Sequence, residues 1–359
     1  MKKILSIVIP TYNAEKFLDR GLPTFIVEDE KFRNAIEVIV VNDGTPDKSV
    51  EVAQKYVDQY PEIFQIVNKE NGGHGSAINV GVTHASGAYL KVVDADDWVN
   101  TEALLSVMKT LDKLESEQEN AADALLLSYC TYDLEKEAKG ENPYEDKLVV
   151  PGEKTHAEIP NLAGPYTDKE IVGRWNDAYW GLTFHGVIYN TSFYKSLGKE
   201  LVEGVFYEDQ QYVSVPMAYA KRVFILDEKL YEYRIGDVNQ SISLKSCLNR
   251  LDHYETVIRT LIKAGEDSSN FSDGGEELWA TKSSIFVNDY YQLCLVKNPD
   301  KKMLRRRMKE FTQEIRRLSP VIYSRVKKTY KVFSILNRIH MSEETYQNKF
   351  MPMLHKARK

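Results

Sequence analysis

The chain has 359 residues, 43% hydrophobic and 28% charged, a composition that suits a folded globular protein and excludes a disordered one. Its three cysteines, Cys130, Cys247 and Cys294, are odd in number and lack CxxC spacing, which argues against a disulfide framework and a zinc site and for a reducing compartment. The net charge of −6 is uneven: residues 301–359 hold 17 Lys and Arg against 4 Asp and Glu, so a tail of +13 follows a body of −19, an arrangement suited to an anionic surface.

The start, MKKILSIVIPTYN, imitates a secretory leader. Its apolar run, residues 4–9, is too short for one and reads as a strand buried on both faces. Residues 14–26 have helical apolar spacing and end near Pro23. Residues 36–41 are a second strand, and residues 48–60 a helix with Pro61 just past its end. A third strand covers 64–67. The glycine-rich turn NGGHG follows, then a helix over 76–85 and a fourth strand over 88–93. Three strand–helix crossovers in a row predict an α/β protein with a Rossmann-like, mostly parallel sheet flanked by helices.

A helix is expected over 101–119 and a strand over 124–129. Residues 135–170 read as a charged, Gly- and Pro-rich loop with an edge hairpin. A strand over 184–189, a helix over 210–220 and strands over 222–226 and 229–235 complete this part. From residue 244 the pattern is helical almost to the end, broken by the polar loop 268–275, so a soft boundary falls near 244. No stretch is long and apolar enough to cross a bilayer, and a cytoplasmic protein is expected. In the tail, residues 302–318 and 321–339 place Val326, Tyr330, Phe333 and Leu336 at helical spacing with Lys and Arg between them. Two readings stand: a peripheral contact with the anionic inner face of the cell membrane, or an appendage packed on the acidic body. No nucleic-acid module is recognisable, so no such partner is expected.

In an open α/β sheet, ligands bind beyond the carboxyl ends of the strands. The four tips are Pro10-Thr11-Tyr12-Asn13, Asn42-Asp43-Gly44, Asn68 with Asn71-Gly72-Gly73-His74-Gly75, and Asp94-Ala95-Asp96-Asp97. One such tip is as easily a turn. Four polar tips on one edge read as a cleft. Asp94 and Asp96 are hard oxygen donors two residues apart at a strand end, which suits Mn²⁺ or Mg²⁺ completed by substrate phosphates. A second acidic pair, Glu208-Asp209, precedes a helix, where it complements the helix dipole or supplies a general base.

The segments VIPTYNAEKFL, VIVVNDGTPDKS and NKENGGHGSAINVGVTHASGAYLKVVDADD, in that order and spacing, closely resemble the nucleotide-binding half of family 2 glycosyltransferases. The resemblance is strong over residues 1–100, weaker over 180–243 and absent from 245 onward. It implies a GT-A fold over 1–243, with nucleotide-binding half 1–100 and acceptor half 101–243, ahead of the helical basic region 244–359. It implies transfer with inversion from a UDP-sugar to a glycan, lipid-linked or protein-linked acceptor, with Mn²⁺ or Mg²⁺, in surface polysaccharide, glycolipid or glycoprotein glycan synthesis.

Residue by residue, the resemblance places Pro10, Thr11 and Tyr12 around the base, with Glu15 at the same rim. Asp43 would accept the hydrogen bond of the uracil ring nitrogen, and Asn71 and Gly72 would border the nucleoside. Asp94, followed by Ala95, would lie near the ribose, and Asp96 would bind the metal. Asp209 would be the base, with Glu208 its orienting neighbour. Arg234 in Tyr231-Glu232-Tyr233-Arg234 would reach the diphosphate. Where the family commonly carries a basic residue after its Asn-Gly-Gly-like turn, this chain has His74. Trp180 and His185, ahead of the acceptor-side strand, either touch the acceptor or belong to the core. An inactive sugar-nucleotide scaffold would be free to lose Asp94, Asp96 and Asp209. A nucleotidyltransferase or nicotinamide dehydrogenase would want glycines after the first strand, and PTYNAEKF has none.

Overall fold

The computed structural model describes residues 2–117, 121–237 and 240–350. The end of the helix expected over 101–119, and residues 351–359 of the basic tail, lie outside the described residues. Among the described residues, ten strands form one sheet: β1 Leu5–Thr11, β2 Ile36–Asp43, β3 Phe64–Lys69, β4 Tyr89–Val92, β5 Trp98–Val99, β6 Ala124–Asp133, β7 Tyr144–Lys147, β8 Leu162–Tyr166, β9 Val187–Asn190 and β10 Val223–Ile235. The order is β3-β2-β1-β4-β9-β6-β10-β5, with β7 on β6 and β8 on β10. From β3 to β4 all pairs are parallel. Beyond β4 the sheet is mixed: β9 runs antiparallel to both β4 and β6, and β10 runs parallel to β6.

The strand sequences explain the layers. Every residue of β1 is buried, because helices cover both faces. Ile7 and Ile9 face one core with Val38 and Val40, while Val8 faces the other with Ile39 and Val41. That is the period of two expected of a pleated strand. Helices Ser49–Gln59 and Thr101–Ser116 supply Val52, Leu104 and Leu111 to the first core. Helices His74–His84 and Asp209–Tyr219 supply Ile78, Val82, Tyr212 and Val213 to the second. Gly81 lets its helix approach the sheet: a Cβ there would stand 2.3 Å from Val8 Cγ1.

Some elements differ from expectation. The helix expected over 14–26 stops at Gly21 and passes into a 3-10 turn, Leu22–Phe25, because Pro23 lacks the N–H needed to continue it. The segment 135–170 holds two strands that pair with β6 and β10 rather than with each other. The strands expected over 222–226 and 229–235 are one strand, β10, with an irregular register between Leu226 and Tyr231.

After residue 243 the described chain is helical: Leu244–Asn249, Leu251–Ala264, Gly275–Gln292, a π turn Leu293–Lys297, Arg305–Leu318 and Pro320–Arg338. These helices share a third core that also takes in Val215 and Ala218 of helix Asp209–Tyr219. The helical region therefore docks on the helix that begins with Asp209. Part of its positive charge is neutralised against its own acids: Arg259 pairs with Glu314 at 2.8 Å and Arg307 with Glu255 at 2.7 Å. No helix among the described residues is long and apolar enough to cross a membrane.

Candidate functional site

The tips of β1 to β4 and the start of helix Asp209–Tyr219 enclose one acidic cleft, built from the loops that follow the strands. At the end of β2, Asp43 is buried, and its carboxylate clamps the next loop. It accepts hydrogen bonds from the Gly72 N–H at 2.9 Å, the Gly73 N–H at 2.8 Å and Lys69 Nζ at 2.6 Å. The Asn71 side chain donates to the Asp43 carbonyl at 2.9 Å. Gly73 takes φ +88°, open to glycine at little cost, and so turns the chain into helix His74–His84.

At the tip of β1, Pro10 and Thr11 are buried, whereas Tyr12 is 49% exposed and presents a free ring face. Glu15 accepts from the Lys48 N–H at 2.9 Å, which fixes the start of helix Ser49–Gln59 against the tip of β1.

The loop after β4 is fastened to β10. Asp97 is buried and accepts from Tyr231 Oη at 2.6 Å and the Arg234 N–H at 2.8 Å. Burial, with Asp96 and Asp94 close by, holds its carboxyl well above the usual range. Arg234 Nη2 donates to Asp96 Oδ2 at 2.7 Å, its Nε donates to the Asp96 carbonyl at 3.2 Å, and its guanidinium lies 4.4 Å from the Phe17 ring centre. Burial and the neighbouring Asp94 raise the Asp96 carboxyl despite that bond. Ala95 is half-buried against the first core and spaces the two carboxylates.

His74 joins the two acidic pairs. Its Nε2 lies 2.9 Å from Asp94 Oδ1 and its Nδ1 lies 2.5 Å from Glu208 Oε1. Burial pulls the imidazolium's pKa down, but Asp94 and Glu208 outweigh it and hold it well above its ordinary value. Glu208 is 2% exposed, and its Oε2 has no described partner. Asp209, the first residue of its helix, accepts from Gln210 Nε2 at 2.9 Å. Burial, then the Glu208 charge, pushes its carboxyl up to about 6. The residue before the pair, Tyr207, has φ +74°, a conformation costly for a side chain with a Cβ. Its ring contact with Tyr254 at 4.2 Å and its hydroxyl bond to the Ser241 carbonyl at 3.1 Å hold it there.

Beneath the acids lies Lys91, 1% exposed, donating to the carbonyls of Phe184 at 2.9 Å, His185 at 2.7 Å and Val187 at 3.1 Å. Burial lowers its ammonium to about 7. His185 stacks on Tyr233 at 4.0 Å, and burial lowers its imidazole to about 3, so it is neutral at physiological pH. Trp180 is half-buried, edge-on to Tyr129 at 6.2 Å, with Lys147 Nζ 5.0 Å from its ring centre. His185 thus lies in the floor of the cleft and Trp180 in the aromatic wall behind it.

The structure therefore gathers Asp94, Asp96, Glu208, Asp209 and Arg234, while Asp43, Asn71 and Gly72 form a clamp beside them. Sequence reasoning missed the anchoring by Asp97 and Tyr231, the bridge through His74 and the buried Lys91. A lysine inside the apolar run Tyr89-Leu90-Lys91-Val92-Val93 was the available signal.

Residues 6–119 match the model of Glycosyl transferase family 2. The chain is 35% identical over 112 residues to the minor teichoic acid biosynthesis protein GgaB of Bacillus subtilis, covering 31% of this chain and 12% of GgaB. It is 28% identical over 279 residues to the uncharacterized glycosyltransferase YibD of Escherichia coli, covering 75% of this chain and 72% of YibD. Among solved structures, S. aureus TarS 1-349 in complex with UDP-GlcNAc aligns with a TM-score of 0.59 at 18% identity, covering 96% of this chain and 91% of that one. At that identity the likeness is one of fold. The chain spans less than a third of three curated relatives that it matches, at 12%, 28% and 30% of their lengths.

Proposed function

We propose that this chain, which carries a family 2 glycosyl transferase domain of the GT-A fold, moves a sugar from a UDP-sugar to an acceptor hydroxyl with inversion. One observation carries the reading: the acidic tip of β4 and the Glu208-Asp209 pair share a single cleft, tied together by His74. In the reaction, the acceptor oxygen attacks the anomeric carbon from the face opposite the diphosphate. Its proton passes to Asp209, the bond from the anomeric carbon to the diphosphate oxygen breaks, and UDP leaves. The transition state is oxocarbenium-like, as in glycoside hydrolysis. A carboxyl at about 6 is a stronger base than an ordinary aspartate and is still mostly ionised at neutral pH. Glu208, held by His74, orients the helix start that presents Asp209.

The leaving diphosphate is anionic and enters beside Asp94, Asp96, Asp97, Glu208 and Asp209, so it needs counter-charge. Arg234 supplies part of it. The donor set fits a hard divalent ion: the Asp96 side chain is 35% exposed, and Arg234 engages one of its oxygens. No cluster of three or more metal-ligating side chains occurs among the described residues, and a shared site of one or two carboxylates plus substrate phosphates needs none. Mn²⁺ or Mg²⁺ held by Asp96, with Asp94 beside it, would neutralise charge on the leaving group.

The name of GgaB, a teichoic acid biosynthesis protein, supports a cell-surface polymer as product, and TarS with UDP-GlcNAc supports a uridine nucleotide donor. We further propose a cytoplasmic enzyme that meets anionic lipid through helix Pro320–Arg338. That helix exposes Lys327, Lys328, Lys331 and Arg338 beside Val332 and Ile335. The experiment is UDP release from a panel of UDP-sugars, with Mn²⁺ and then with EDTA, for wild type and Asp96→Asn. Release from one donor, lost on chelation and in the variant, is expected. A wild type that neither releases nor binds UDP overturns the reading.

A further inference from the structure

A cavity of about 350 Å³, with Asp209 in its lining, opens between the α/β body and the C-terminal helices. Ligand pockets start near that size, at about 300 Å³. Its walls combine three chemistries. Tyr207 and Phe286 give it an aromatic side. Asp209 and Gln210, from the start of helix Asp209–Tyr219, add polar groups next to the proposed base. Asp289 and Lys297, from helix Gly275–Gln292 and the π turn after it, add one charge of each sign.

Neither the Asp289 carboxylate nor the Lys297 ammonium is hydrogen-bonded to a described side chain; Asp289 is exposed and Lys297 half-buried, so both can meet a ligand in the cavity.

We propose that this cavity is the acceptor pocket and that it receives an uncharged, hydroxyl-rich sugar unit. This rests on the reading of the chain as a sugar transferase. The apolar face of the sugar lies against Tyr207 and Phe286. One hydroxyl reaches Asp209, and the others bond to Gln210, Asp289 and Lys297. The charge of the walls selects the ligand: Asp209, Asp289 and Glu343 against Lys297 alone disfavour a phosphorylated unit in this place. The C-terminal helices thereby become part of the acceptor site, whereas Trp180 and His185, the acceptor candidates of the sequence, are not in the lining of this cavity.

The test uses the full chain with its UDP-sugar and the methyl glycosides of glucose, galactose and N-acetylglucosamine, each with its 6-phosphate. A neutral glycoside is expected to accelerate UDP release. Its KM should rise at least tenfold in Asp289→Ala and in Lys297→Ala, while the Kd for UDP, read by calorimetry, stays within twofold of wild type. Retained UDP binding also certifies that the variants fold. The proposal is overturned if no neutral glycoside accelerates release, if only the phosphates do, or if both variants keep the wild-type KM. Failure of the transferase reading looks different, since wild type then does not bind UDP.

Discussion

Replacing Asp209 by asparagine separates its proposed role as base from its cost to the fold. The carboxyl rises from 3.8 to about 6 on folding, so the folded protein favours its neutral form. The stability from this group is fully present below pH 3.8 and is lost as pH rises through about 6. At pH 7 the ionised carboxylate therefore costs up to about 3 kcal/mol, at 1.36 kcal/mol per pKa unit. Asparagine keeps the shape and can accept the Gln210 bond, yet carries no charge. Asp209→Asn should gain about 1 kcal/mol or more, which raises Tm by about 2 °C or more. It should also lose transfer while keeping donor binding. In wild type, kcat/KM should fall tenfold per pH unit below about 6, leaving about one-tenth of the plateau at pH 5. The assays are UDP release across pH and a thermal melt of both proteins at pH 7. Near-normal transfer by Asp209→Asn, an acid limb centred near pH 4, or a lowered Tm would each refute the reasoning.

His74→Ala should destabilise the fold by about 3 kcal/mol at pH 6, because it leaves buried Glu208 without its described partner. The folded imidazolium is held above its ordinary pKa, so its contribution is complete below about pH 6.5 and fades as pH rises through the raised value. Urea melts should therefore show a smaller penalty at pH 9 than at pH 6, and equal penalties would argue against a charged bridge. Vesicles containing anionic lipid should sediment the protein at low salt and release it at high salt. Reversing Lys327, Lys328 and Lys331 to Glu should abolish that binding, and binding to neutral vesicles alone would remove the electrostatic contact.

The parallel part of the sheet, β1 to β4, was legible in the sequence because its signals are local. Strands buried on both faces must be continuous apolar runs, as in Ile36-Glu37-Val38-Ile39-Val40-Val41, and polar tips must follow them where a parallel sheet binds its ligand. Asp94, Asp96 and Asp209 could be named because each ends or begins such an element. What pairs with what was not local. β9 enters the sheet beside β4 although 94 residues separate Val92 from Val187 in numbering. His74 reads as the histidine of a helix start until tertiary packing brings Glu208 to 2.5 Å, 134 residues away. Asp289 and Lys297 belong to a region whose helical spacing says only that it has a core. They line one cavity with Asp209, because Val215 and Ala218 of the helix that begins with Asp209 are buried in that same core. The sequence by itself thus determined the sheet and the residue types at its edge, which hydrophobic periodicity specifies. Only the tertiary structure decided the partners, protonation and second wall of the cleft, because electrostatic coupling depends on distance in space and on burial.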